Sequence, residues 1–184
     1  CLLLLSIFTI TLINGLFLEK YYVSKKVEVL EEAKEVLSQM NLDDILQYDT
    51  DIEEDKKGAT DEISDEIERS SSRNNLTWII VNEENSGYYY WGENNMAKML
   101  RSKLFGYINN LDQDMQHSRV LKKTDTCTMW QVHDRFAGME YVECWGQFDN
   151  GYYFLIRSPL ESIKESASIS NSFYFIVGII IIVV

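Results

Sequence analysis

An α+β domain built around an antiparallel sheet is the fold class this sequence predicts, and three observations carry it. Short runs rich in β-branched and aromatic residues, such as "TWIIV" and "YYYW", are separated by turn residues. Stretches with apolar residues three and four apart stand before, between and after those runs. The most distinctive turn, Asn150-Gly151, lies between two strand-like runs and favours a two-residue type I′ hairpin.

Residues 1–18 are almost wholly apolar, and Phe17, Tyr21 and Tyr22 have the character of an interfacial aromatic belt. No small-x-small cleavage site follows, so a membrane anchor is expected rather than a removed leader. Val23, Val27, Leu30, Leu37 and Met40 then recur at helical steps, extending a membrane-proximal helix over 19–47. That stripe either packs on its own domain or pairs with the same stripe of a second chain.

Residues 48–75 form an acidic connecting segment. It contains "DTDIEEDKKGATDEISDEIE", read as solvated because it lacks the order of carboxylates in an EF-hand loop. Ile52, Ile63 and Ile67 tether it to the body, and "RSSSRNN" reads as a turn. The sheet domain, 76–158, opens with strands Thr77 to Val81 and Tyr88 to Trp91 around "NEENSG". Asn94 caps a helix whose apolar face runs Met96, Met99, Leu100, Leu104, Tyr107, Ile108 and Leu111. Three further strands are expected: Arg119 to Lys123 together with Thr126 to His133, then Met139 to Phe148, then Tyr152 to Arg157. The expected total is a five-stranded sheet.

Beyond it, Ser158 as N-cap, Pro159 in the first turn and Glu161 as capping-box partner start an exit helix over 159–172. Residues 173–184 then begin a second apolar span, shorter than the ~20 residues a crossing helix needs. Two spanning anchors that emerge on the same side of the bilayer lead us to expect the central domain outside the cytoplasm of a multi-pass cell-membrane protein. A formal net charge of -12 over 184 residues argues against a nucleic-acid partner. There is no Gly-x-Ser-x-Gly, His-Glu-x-x-His, P-loop or Cys-x-x-Cys, so neither a catalytic site nor a metal site is expected in these residues.

The layout resembles a PAS-like, single-Cache type extracytoplasmic sensor domain. The stretch "SPLESIKESASISNSFYFIVGIIIIVV" resembles the passage from such a domain into the second membrane helix of sensor histidine kinases of Gram-positive bacteria. The resemblance implies a signal-input module, no cofactor in this chain, ATP and Mg for a kinase portion beyond it, a homodimer and a cognate response regulator. The same input on a chemotaxis receptor or cyclase, or a membrane-anchored structural surface protein, remains as an alternative.

A trial register with a four-residue loop Asp134 to Ala137 sets His133 opposite Gly138 and Cys127 opposite Cys144. The two cysteines are then either a cross-strand disulfide or two buried thiols. The same register puts Trp130, Val132, Met139, Tyr141, Trp145, Phe154 and Ile156 on a core face. Gln131, His133, Glu140, Tyr153 and Arg157 fall on the other face, among Met129, Val142 and Leu155. That second face has the composition of a small pocket for an unidentified small molecule, or of strand ends in water. A slip of one residue would exchange the faces.

Overall fold

The computed structural model describes residues 2–40, 62–82, 87–93, 96–111 and 118–160; before Lys20, and for residues 62–64, only the backbone is described. The order is α1 (Leu2–Ser38), α2 (Glu62–Asn74), β1 (Thr77–Val81), β2 (Tyr88–Trp91), α3 (Ala97–Ile108), β3 (Arg119–Lys123), β4 (Cys127–Asp134), β5 (Met139–Gln147) and β6 (Tyr153–Pro159). One of two compact units, Val27–Pro159, holds the entire sheet. The α+β class therefore stands, with six strands rather than five, all antiparallel, in the order β2-β1-β6-β5-β4-β3.

The sixth strand arises because residues 119–133 fold back on themselves. The Thr124 N–H donates to the Cys127 carbonyl at 2.9 Å, and the Cys127 N–H donates to Thr124 Oγ1 at 3.1 Å. A threonine side chain thus closes a tight turn with no Gly or Pro to announce it. A bulge between Val120 and Lys122 interrupts the β3–β4 ladder.

The "RSSSRNN" stretch is not a loop. Its first six residues are the last turns of α2, and Asn75, at φ 53°, is the left-handed residue that ends the helix. The serines tolerate helix because they are small and have local partners. Ser71, 1 % exposed, accepts the Trp78 indole N–H at 2.9 Å, and Asn74 Nδ2 donates to the Ser70 carbonyl. Ile67 is fully buried, as a tether should be, while Ile52, with all of 48–61, and the Ile63 side chain lie outside the described residues. The first helix ends at Ser38 rather than near Gln47, and Leu30, Ala33, Leu37 and Met40 are buried within this chain.

The β5–β6 turn departs from the type I′ expectation in a way that rearranges one strand. The Gly151 N–H donates to the Phe148 carbonyl, the Phe148 N–H to the Tyr152 carbonyl, and only Gly151 (φ 90°) takes a positive φ. This is a three-residue loop with glycine at the left-handed position. Gln147 consequently pairs with Tyr153, a shift of one residue that turns every β6 side chain to the opposite face. Leu155, Tyr153 and Arg157 join the face of Trp130, Val132, Tyr141 and Trp145, while Phe154 and Ile156 move to the face of Met129 and Val142.

At the β4–β5 turn the loop keeps its expected length of four but slides along the chain, so Asp134 pairs with Met139 and Cys127 with Gly146. The shift is two residues in register, which preserves the faces. One face of the sheet packs on α3 through Ile79, Val81, Leu100, Leu104, Tyr107, Trp130, Val132 and Leu155. The other carries Trp78 toward α2, and Lys122 in ion-pair contact with Glu31 of α1.

Candidate functional site: a buried ion network beneath a groove

Helix α3 turns Leu100, Lys103, Leu104 and Tyr107 to the sheet, so a lysine at helical spacing is forced under an apolar face. The sheet answers with Glu143 in mid-β5, Asp134 at the end of β4 and Arg157 on β6. All three side chains are at most 1 % exposed, and that of Lys103 is 6 % exposed. Lys103 Nζ lies 3.1 Å from Asp134 Oδ2 and 3.2 Å from Glu143 Oε1, and Arg157 Nη1 donates to Asp134 Oδ2 at 2.9 Å. Two cations thus meet two anions, and the cluster carries no formal net charge.

Neutral groups complete it. The Tyr107 hydroxyl donates to Glu143 Oε2 at 2.5 Å, and the Trp130 indole N–H approaches the same oxygen at 3.4 Å. Asp134 Oδ1 accepts the backbone N–H groups of Phe136 and Ala137, so one carboxylate both closes the β4–β5 loop and neutralises two buried cations. The Arg157 guanidinium lies 4.3 Å from the centroid of the Tyr141 ring, but its Nε is buried without a hydrogen-bond partner.

The electrostatics follow from these contacts. Burial pulls the Lys103 ammonium down, but the carboxylates of Glu143 and Asp134 outweigh it and hold its pKa above the ordinary lysine value. Burial likewise pushes the Asp134 carboxyl up, yet the Ala137 N–H, Lys103 and Arg157 leave it below the usual carboxylate range. Asp134 therefore contributes stability in full above its unfolded pKa of about 3.9, and that contribution is lost as pH falls through the lower folded value. Lys103 contributes in full below its unfolded pKa of about 10.4, and the contribution is lost as pH rises through the higher folded value. The gap in unfolding free energy between the native chain and Asp134→Asn should stay constant from about pH 5 to 9 and shrink below about pH 4, as read by denaturant titration.

Above this cluster a groove of about 840 Å³ runs between α3 and the β4–β5 loop. Met99, Phe105 and Phe136 supply apolar walls, Ser102 and Asn109 neutral polar groups, and Lys103 and Asp134 the floor. Phe136 is 89 % and Leu111 77 % exposed, leaving the rim apolar and open to water.

The residues singled out in the sequence divide between the two faces. Gln131, His133 and Glu140 stay together at the hairpin end of the face opposite α3, where Gln131 Nε2 donates to Glu140 Oε2 at 3.0 Å and the exposed His133 pairs with Glu140 across the ladder. Arg157 and Tyr153 are on the α3 face, removed from that set by the one-residue shift of β6. Cys127 and Cys144 are both buried free thiols, two residues out of direct opposition. Ser158 and Pro159 belong to β6 rather than to a helix start; Ser158 Oγ donates to the carbonyls of Asn74 and Asn75, which already occupies the proposed cap. Asn94, Glu161, the rest of the expected exit helix (161–172) and the apolar span 173–184 lie outside the described residues.

Lys103, Asp134 and Glu143 escaped the reading of the sequence. A signal was present, because Lys103 falls on the buried helical stripe and Glu143 alternates with Tyr141 and Trp145, and opposite charges at two inward positions imply a pair. Among the described residues there is no cluster of metal-ligating side chains. Among them, too, no helix is long and apolar enough to cross a membrane, a statement that does not reach Leu2–Glu19, where only the backbone is described. Comparison with protein-family models, curated proteins and solved structures gives no match.

Proposed function

We propose that this chain is the extracytoplasmic input module of a membrane-bound receptor, of the kind in which a sensor domain controls a histidine kinase. The observation that carries the reading is the connection between groove and chain exit. The floor of the groove is Asp134, Asp134 holds Arg157, and Arg157 lies two residues before β6 ends at Pro159. A small molecule entering between α3 and the β4–β5 loop would alter the Lys103–Asp134–Arg157 contacts and so shift the strand that leads out of the domain. The groove size falls within the usual range for small-molecule sites, and its lining sets the apolar Met99, Phe105, Leu111 and Phe136 against the polar Ser102, Lys103, Asn109, Asp134 and Arg135.

In this reading the apolar ends anchor the chain in the cell membrane, the receptor is a homodimer, and ATP, Mg and a response regulator engage the kinase portion that follows. Ligand binding sets the output only through unequal affinity for two arrangements, and complete reversal of a 1:99 population needs about 5.5 kcal/mol of difference.

The test is a fusion of this chain to the signalling helices and kinase of a two-component reporter. Filling the groove with Ser102→Trp, or cutting its link to β6 with Arg157→Met, is expected to change basal autophosphorylation several-fold. If both folded variants give the output of the unmodified fusion, the receptor reading is wrong.

A further inference from the structure

We propose that Cys127 and Cys144 form a reversible dithiol–disulfide pair that exchanges with small disulfides, with Cys127 as the attacking sulfur. The ladder places Cys127 opposite Gly146 and Cys144 opposite Met129, so the two thiols are diagonal neighbours on the same face of adjacent antiparallel strands. Each thiol shifts the titration of the other, Cys127 downward and Cys144 upward. Gly146 leaves the position facing Cys127 without a side chain; a Cβ there would sit 2.1 Å from the Thr126 carbonyl oxygen and 2.9 Å from Cys127 Cα. The β4 and β5 backbones therefore approach closely beside Cys127, with no room for a side chain at residue 146.

The two sulfurs differ in access and in charge. Cys144 is fully buried in mid-strand, whereas Cys127 begins β4 directly after the exposed turn Thr124–Thr126. Thr124 Oγ1 lies 3.3 Å from Cys127 Sγ. The Cys144 thiol pulls the Cys127 thiol down to about 6 against the opposing effect of burial, with Thr124 and Lys34 of α1 assisting and Glu31 of α1 opposing. Lys122 on β3 also feels the Cys127 charge. Cys127, together with burial, raises Cys144. One proton is thus held between the pair, on Cys144, and the nucleophile is Cys127.

The chemistry balances with a small disulfide RSSR as oxidant. The Cys127 thiolate attacks one sulfur, breaks the S–S bond and expels RS⁻, giving a mixed disulfide at Cys127. Cys144 gives up its proton and attacks Cys127 Sγ, forming the Cys127–Cys144 bond and expelling the second RS⁻. The departing thiolates account for the two electrons, and one takes the proton. Diagonal positions on an antiparallel pair have Cα atoms about 7–8 Å apart, beyond the ~4.4–6.8 Å usual for a disulfide. Oxidation must draw β4 and β5 together locally, and a bond formed under such tension is readily reduced. This geometry marks a labile pair, not a permanent staple.

The experiment uses the full chain carrying Cys1→Ser, treated with oxidised glutathione and followed by thiol alkylation and peptide mass mapping. Both remaining thiols should disappear together into a linked 127–144 peptide pair and return with excess reduced glutathione. The oxidation rate should be half-maximal near pH 6, and Cys144→Ala should instead accumulate a glutathione adduct at residue 127. A cross-link that survives excess reduced glutathione, a pair that stays reduced throughout, or a rate still climbing tenfold from pH 7.5 to 8.5 each overturns the proposal. The first two outcomes are read on cysteines 127 and 144 unaltered, so they stand even if Cys144→Ala misfolds.

Discussion

Asp134→Ala is expected to lower the unfolding free energy by about 3–5 kcal/mol, the usual result of removing one partner from a buried ionic cluster. The magnitude comes from what the change leaves behind. Lys103 and Arg157 would remain under α3 beside Glu143, and Arg157, whose Nε is already without a partner, would lose its 2.9 Å contact as well. The N–H groups of Phe136 and Ala137 would lose their acceptor at the same time. Denaturant unfolding of the native and substituted chains measures the effect. A double-mutant cycle with Arg157→Met should show the two changes costing less together than their separate costs added, by at least about 1 kcal/mol. A loss below about 1 kcal/mol for Asp134→Ala would mean that water reaches the cluster and that the groove floor is not dry.

Trp78→Ala should be as damaging, at about 3–5 kcal/mol, for a different reason. Trp78 is fully buried on the face opposite α3, flanked in the ladder by Ile156 and Trp91, with Tyr89 at 5.1 Å between ring centroids. Truncation opens a cavity in the middle of this face and strips Ser71 of the indole donor. Trp78→Phe separates the two contributions: it keeps most of the ring volume and removes only the N–H, so about 1 kcal/mol of loss is expected from the hydrogen bond and the residual gap. The midpoint of denaturant unfolding for the two variants gives the comparison.

The element types were legible wherever hydrophobic period and turn chemistry agreed. β1, β2 and α3 lie where "TWIIV", "YYYW" and the Leu100–Leu104–Tyr107 stripe put them. Legibility failed where a side chain or a single left-handed residue decided the backbone. The Thr124 side chain made a hairpin out of what reads as one strand, and Gly151 alone, rather than Asn150 with Gly151, took the positive φ. That second difference is one residue long, and its effect on the site was total. It carried Arg157 from a pocket with His133 into the charge cluster with Asp134, because side chains on a strand alternate without exception. Ser158 and Pro159 misled in another manner. They read as the opening of a helix, yet tertiary pairing with β5 and the Asn74 carbonyl claimed them for strand.

The sheet order also bears on how the molecule comes into being. β6, the last of the described strands in chain order, stands near the middle of the sheet, between β1 and β5, and Thr77 meets its partner Arg157 across eighty positions of chain. The early β1–β2 hairpin and the later β3–β4–β5 meander must therefore wait side by side, each with an unsatisfied edge, until translation delivers the segment that joins them. Such distant closure is slow and exposes sticky intermediates, so the domain is vulnerable to premature association until β6 has paired.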